Sequence, residues 1–467
     1  MERVYAFSKE LQLDYAVLLT TPDLKTHLPD FWRRVDLKKW STDDLLTAMS
    51  DAATEAERIL YISGDEPLLL LSVTERMLAL QREYRTEYTF ADGYPEGVTP
   101  EIVVPAVLPI LKKLNDDRPE KLGRDILFRL IQRDINAFDL ETEIAPVDLR
   151  LLRASITCDN RRNFLLAKAL IEGKIADEEG ILRELPEREE LLRTLPAYFN
   201  VQVTNSYSQR VSYEPFFDLQ KEETPLIMEA ERFEALLQKI EEYAPDSVVS
   251  IGYRGEPALH PRIIDLIEAA ESSPSVSLYI ETSGVGWSPD SLARLTEIGL
   301  GSTTIIVLLD AVQKEAYSRL RGDGFEEAIA FARTMRKVHP ERCYVQATRL
   351  SNEQETLEEF YVAWKDDNPV IQKYNHYCGT LADRRVTDLS PLERFPCGHL
   401  RRDMTVLLDG TVPICQEDLN GSGSFGNVFS DSLEAVWSAG ADLYGAHTRG
   451  EYPGICAACD EYYTYNA

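Results

Sequence analysis

The sequence predicts an α/β protein in three parts: an amino-terminal α/β layer, a central partial (β/α)6 barrel of parallel strands, and a small cysteine-bearing tail. Three observations carry this. From residue 198 to about 374, short apolar runs alternate with amphipathic stretches on a regular beat. Residues 1 to about 170 show a looser version of the same alternation. Four of the seven cysteines, Cys397, Cys415, Cys456 and Cys459, gather at the end of the chain. Alternating strand and helix periods argue for helices packed on a parallel sheet, and 467 residues suggest about three domains.

Taken in order, the first third predicts strands at 15–20, 59–63, 88–91 and 155–157, with helices at 42–57 and 71–82. The stretch ADEEGILRELPEREELLRTL (176–195) is charged and helical with little apolar surface, and reads as a linker. Barrel strands are predicted at 198–204, 247–251, 277–281, 304–308, 344–348 and near 370–374. The helices between them fall at 231–243, 262–272, 288–298, 325–338 and 353–366. Such βα units place a site at the C-terminal ends of the strands. In the tail, MTVLLDGTVPIC sets two apolar runs around Asp409-Gly410, a hairpin signal.

The net charge is −29, dispersed along the chain. An acidic surface repels phosphate backbones and anionic lipid, which excludes nucleic acid and membranes as partners. No apolar run reaches transmembrane length, and the start lacks a signal peptide's basic region, apolar core and cleavage site. The expected location is the cytoplasm, where clustered cysteines point to metal rather than disulfides. The scattered Cys158, Cys343 and Cys378 read as buried small hydrophobes.

Further motifs sit at the predicted strand ends. SIGYRGEPALHP (250–261) alone reads as a tight turn between strand and helix. Together with YIETSG (279–284), IIVLLDA (305–311) and YSRLRGDGFEEAI, it resembles the radical S-adenosylmethionine (SAM) superfamily. Arg254-Gly255-Glu256-Pro257 looks like that family's GGEP loop, whose backbone holds the amino group of SAM. The resemblance makes Gly255, Glu256 and Pro257 the candidate cofactor-binding residues. Thr282-Ser283-Gly284 is similar to the T-N-G turn and Leu309-Asp310-Ala311 to the S-L-D-A segment. Arg254 stands where the family has glycine and Ser283 where it has asparagine, and both departures count against a SAM pocket.

The segment VTNSYSQRVSYEP (203–215) occupies the place of the family's C-x-x-x-C-x-x-C loop, which holds a [4Fe–4S] cluster with one iron open to SAM. Lined up on Thr204-Asn205 and Pro215, the cysteine positions fall on Tyr207, Val211 and Glu214. None is a soft thiolate ligand. The resemblance therefore implies a barrel that keeps its shape without reductive cleavage of SAM.

Residues 396–466 resemble the SPASM domain, with the cysteines, the Asp409-Gly410 turn, Gly426-Asn427 and Trp437 in family order. This implies that Cys397, Cys415, Cys456 and Cys459 hold one auxiliary [4Fe–4S] cluster. Four thiolates saturate its irons, which favours a structural or electron-transfer role. The residues alone also leave open four unliganded thiols or a zinc site, although zinc ribbons pair two C-x-x-C knuckles and this tail has one.

In the first third, ILYISGDEPLL (59–69) is a strand ending in a turn, or in an Asp that could hold Mg²⁺ on a phosphate. With YPEGVTPEIV (94–103) and RASITCDNRRNFLLAKAL (153–170) it resembles the sugar cytidylyltransferases, Rossmann-like nucleotidyltransferases. Asp65 would match their metal-binding Asp, Glu101 the acid after the P-x-G turn, and Asp159 the late aspartate. Their basic, Gly-rich phosphate loop has no counterpart, since Met1 falls after its place. Nucleotidyl transfer is not expected without that cradle. A central strand of that sheet is expected to be missing, through truncation or cover by another element.

The expected domains are 1–172, nucleotidyltransferase-like; 173–196, linker; 197–385, radical-SAM-like barrel; and 386–467, SPASM. The combination resembles the spiro-SPASM proteins. It implies a radical-SAM-like iron–sulfur protein whose barrel binds a peptide, protein or sugar-linked ligand and whose tail cluster serves structure or a redox partner. Two alternatives stand beside it: an active SAM- or nucleotide-sugar-dependent enzyme acting on peptides or cell-surface glycoconjugates, and an accessory subunit of a complete radical SAM enzyme.

Overall fold

A computed structural model describes residues 1–464 apart from 26 and 220–223. Residues 465–467, the end of the expected tail domain, lie outside the described residues. The chain divides into two compact units, Met1–Leu192 and Arg193–Ala467.

In the first unit, β1 (Ala16–Thr20) and β2 (Trp32–Asp36) form a parallel pair. The strands β3 (Ile59–Tyr61), β4 (Tyr88–Asp92), β5 (Glu101–Val103) and β6 (Leu140–Ile144) form a second sheet in the order β3-β5-β4-β6. The helix Leu71–Tyr84 buries Val73 and Met77 in one apolar cluster with Val98, Ile102 and Ile156. The helix Thr42–Ala52 buries Leu45, Leu46 and Met49 in another, and Ser41 caps it by accepting from Asp44 N–H.

Two expectations are corrected here. The strand expected at 155–157 is a single bridge between Ser155 and Glu96. The chain leaves the sheet there because Asn160 accepts from Asn163 N–H and starts the helix Arg161–Glu172. Of the stretch 173–196, expected as a linker, residues 173–192 fold into the first unit instead. Its helix Glu178–Glu187 buries Ile181 and Leu185 completely, beside Ile175 and Leu170. Its acidic face pairs inward too, since Glu178 accepts from Arg76 and Ser72.

The second unit is built on seven parallel strands. These are β7 (Tyr198–Val201), β8 (Ser247–Ile251), β9 (Val276–Thr282), β10 (Thr303–Leu308), β11 (Cys343–Arg349), β12 (Pro369–Lys373) and β13 (Asp403–Val406), in the order β12-β11-β10-β9-β8-β7-β13. Helices Ala230–Tyr243, Ile263–Glu271, Pro289–Glu297, Phe325–Val338 and Gln354–Trp364 connect the first six strands as expected. In β9 the residues Val276, Leu278, Ile280 and Thr282 are buried and those between them are half-buried, the period-2 pattern of a strand with one face in a core.

The seventh strand corrects the expected hairpin. The tight turn at Asp409-Gly410 is present, with Gly410 at φ +86° and Leu407 N–H donating to Thr411 O. The run before the turn, however, pairs as β13 with β7. The run after it, β14 (Thr411–Pro413), pairs with β15 (Ser424–Asn427). Joining β7 satisfies backbone groups that would otherwise form an open sheet edge, and it buries Met404, Thr405 and Val406. Among the described residues no helix is long and apolar enough to cross a membrane.

Candidate functional site

At the C-terminal ends of the barrel strands lies a cavity of about 200 Å³. Its wall is drawn from the loops after β7, β8 and β9, the ends of β10 to β12, and the tail residues Gln416 and Glu417. The three positions Tyr207, Val211 and Glu214 all line it. The Tyr207 ring stands edge-on to Phe217 at 6.4 Å. Val211 packs on Tyr213, Leu320, Leu350 and Tyr374. Burial pushes the Glu214 carboxyl up to about 7, against the opposing pull of Arg321.

Of the candidate SAM-binding residues, Gly255 and Glu256 line the cavity, while Pro257, next in the chain, is buried. Gly255 is there by necessity, because a Cβ would lie 2.0 Å from the carbonyl oxygen of Thr204. The Glu256 carboxylate accepts from Ser283 N–H at 2.8 Å, Ser283 Oγ at 2.6 Å, Thr282 Oγ1 and Ala258 N–H. It thereby ties the loop after β8 to the turn after β9. Arg254 sits at φ +53°, a conformation that favours glycine. Its guanidinium turns away to the tail, donating to Asp418 O at 3.0 Å.

Beside the cavity, Asp310 accepts from Arg321 at 2.7 Å, from Tyr213, and through Oδ1 from Thr348 N–H at 2.8 Å. Sequence reasoning named Asp310 but missed Arg321 and Tyr213, although both lay within quoted stretches. On the other side, Lys373 at the end of β12 donates to Asp460 (3.1 Å) and Glu461, just past the C-x-x-C knuckle. Asn375 donates to Glu417 at 2.9 Å.

The tail brings Cys397, Cys415, Cys456 and Cys459 together from three chain segments, near enough for their charges to interact. Cys397 and Cys456 are buried. Burial raises the thiols of Cys397, Cys415 and Cys456, the last to about 11, and their neighbouring thiols add to it. Cys459 is instead lowered to about 7, first by a hydrogen bond from Cys378. Thiolates crowded together away from water need a positive partner. A polynuclear iron cluster suits this donor set, since soft thiolates are its ligands. Among the described residues no three His, Cys, Asp or Glu side chains stand close enough to hold a single metal ion.

The scattered cysteines divide. Cys343 is fully buried, as expected. Cys158 is exposed, because it lies in the turn leading into the helix Arg161–Glu172, where its N–H donates to Asp65 O. Cys378 is partly exposed and lies against Cys459 rather than apart from the tail thiols.

In the first unit, Asp65 and Asp159 do converge, but on a guanidinium: Arg124 pairs with Asp65, with Glu66 at 3.4 Å and with Asp159 at 3.5 Å. Glu101 is not among its partners. Glu101 is half-buried, and burial pushes its carboxyl up to about 8 against the opposing pull of Tyr88.

Residues 397–460 match the SPASM family, an iron–sulfur cluster-binding domain. Over 355 residues the chain is 37% identical to an uncharacterized protein of Treponema pallidum (strain Nichols), covering 73% of this chain and 98% of that protein. A second uncharacterized protein of the same organism is 40% identical over 63 residues, 14% of this chain and 29% of its own. Among solved structures, Streptococcus suis SuiB bound to precursor peptide SuiA is similar at a TM-score of 0.46 and 14% identity, covering 71% of this chain and 78% of that one. BtrN in complex with AdoMet and 2-DOIA is similar at a TM-score of 0.38 and 18% identity, covering 58% and 92%.

Proposed function

This chain belongs to one protein family with the uncharacterized Treponema pallidum protein, and on that premise we propose a radical-SAM-like iron–sulfur protein that holds one [4Fe–4S] cluster in its tail and binds a ligand in its barrel without reductive cleavage of SAM. One observation carries the reading. Tyr207, Val211 and Glu214 line the cavity without a thiol among them, while four thiols gather in the tail.

Cys397, Cys415, Cys456 and Cys459 would hold the cluster, which supplies a one-electron redox centre and a cross-link. The chain itself joins that centre to the barrel. Gln416 and Glu417 follow Cys415 directly and form part of the cavity wall. Lys373 fixes Asp460 and Glu461, directly after Cys459. A ligand in the cavity therefore sits beside the tail thiols, where electrons can pass between it and a redox partner.

In the first unit, Arg124 supplies the positive charge for Asp65 and Asp159 that a metal would otherwise bring. The likeness to cytidylyltransferases is read as shape without nucleotidyl transfer.

The test is anaerobic reconstitution followed by iron analysis and incubation with SAM and a reductant. The reading expects about four irons per chain and no 5′-deoxyadenosine. Two clusters per chain, or deoxyadenosine released, would overturn it.

A further inference from the structure

The barrel cavity has more negative groups than its own cations can serve. Glu214, Glu256, Glu281, Asp310 and Glu417 line it, against Arg321 and Lys373. Both cations are committed, Arg321 to Asp310 at 2.7 Å and Lys373 to Asp460 and Glu461. Glu256 is satisfied by the turn after β9, and Glu281 accepts from Ser250 Oγ at 2.7 Å. Glu214 and Glu417 remain. Glu417 is 4% exposed; its Oε1 accepts from Asn375, and its Oε2 has no hydrogen-bond partner. Among the described residues, none donates a side-chain hydrogen bond to Glu214.

Aromatic rings stand around these two acids. Phe216 lies edge-on to Tyr377 at 5.2 Å and to Tyr253 at 6.0 Å, and all three line the cavity. The charges of Glu214 and Glu417 both act on Tyr377. Among the described residues, Arg321 and His399 act on Glu214 and Glu417 by charge alone, without a salt bridge to either. A carboxylate withdrawn from water without a directly bonded cation is costly, and ring faces attract organic cations. The two features together favour a cation that carries its own apolar surface.

We propose that this cavity binds an alkylammonium group, held by the carboxylates of Glu214 and Glu417 and enclosed by Phe216, Tyr253 and Tyr377. The inference rests on the reading of the barrel as a ligand chamber. The available volume, about 200 Å³, is small for a ligand pocket. It suits an ammonium head with a short chain, borne by a free amine or by a lysine side chain of a peptide.

The test is calorimetric titration of the full-length, cluster-loaded protein. The probes are n-pentylamine with its neutral counterpart 1-pentanol, and Nα-acetyl-lysine amide with Nα-acetyl-norleucine amide. Each ammonium probe should bind at least about tenfold more tightly than its neutral counterpart. Tighter binding of the lysine amide than of the amine assigns the peptide source, and the reverse assigns the free amine. Glu214→Gln and Tyr377→Leu should each weaken binding by about tenfold with the iron content unchanged. If Glu214→Gln does not fold, Tyr377→Leu alone decides. Equal binding of charged and neutral probes, or variants that bind as the wild type does, would overturn the proposal. Release of deoxyadenosine from SAM would overturn the earlier reading and leave this binding result standing, so the two failures are distinct.

Discussion

Arg321 Nη1 lies 2.7 Å from Asp310 Oδ2 in an interior where the two side chains are only 4% and 3% exposed. Tyr213 closes the triangle, its hydroxyl 3.0 Å from the same guanidinium nitrogen. The triad joins the loop after β7, the end of β10 and the helix Lys314–Arg321. Removing one partner strands a charge in a water-poor site, at a cost of about 3–5 kcal/mol. Arg321→Met is therefore expected to lower unfolding stability by that amount. Asp310→Asn added to it should recover part of the loss. Denaturant titration of the single and double variants checks both, and equal losses would remove the pair from the account.

Glu256 is expected to matter for shape. Glu256→Ala leaves the buried Ser283 N–H without its acceptor, a loss of about 1–3 kcal/mol. Glu256→Gln keeps one side-chain oxygen and should lose less. Thermal unfolding of the two cluster-loaded variants separates these outcomes.

Glu214 sets a pH dependence with a definite sign. Its folded carboxyl titrates at about 7, against 4.5 for an exposed one. Between these values the folded state holds a proton that the unfolded state releases. The contribution to stability is present below about pH 4.5, falls as the pH rises to about 7, and is flat above that. Glu214→Gln should match the wild type in melting temperature at pH 4 and exceed it by a few °C at pH 8, roughly the shift a kcal/mol or two gives. A constant difference across the range would contradict the raised carboxyl.

The thiols give an iron prediction. Cys397→Ala, Cys415→Ala, Cys456→Ala and Cys459→Ala should each sharply reduce bound iron after anaerobic reconstitution and loosen the tail. Cys343→Ala lies inside β11, away from the tail thiols, and should keep the full iron content. Cys378→Ala should also keep it, because four thiols remain, but should alter the cluster's spectrum through the lost contact with Cys459. Iron analysis with electron paramagnetic resonance reads all three cases.

Much of the second unit was legible because its strands are apolar runs bounded by turns, and its helices alternate on a 3.6-residue period. The strands β2, β5 and β6, with sequences WRRVD, EIV and LETEI, carry too few apolar residues to stand out. The helix Glu178–Glu187 was legible, but its packing was hidden by its charge, although Ile181 and Leu185, four apart, mark its buried stripe. At the site, Gly255 and Glu256 were found through a local motif. Glu417 and Lys373 were not, because they reach the cavity only when the tail folds against β12. No spacing in the chain records that approach, and the place of Cys378 beside Cys459 is lost for the same reason.

The pairing of β13 with β7 also sets an order of events during synthesis. Tyr198 meets Asp403 about two hundred residues later in the chain, a contact of high order. At ordinary elongation rates that interval is roughly 10–40 s. Throughout it, one edge of the nascent barrel sheet has no partner from its own chain and can pair with a neighbouring polypeptide. A ribosome that stalls before residue 403 thus releases a barrel with an open flank, a substrate for chaperones rather than a folded fragment.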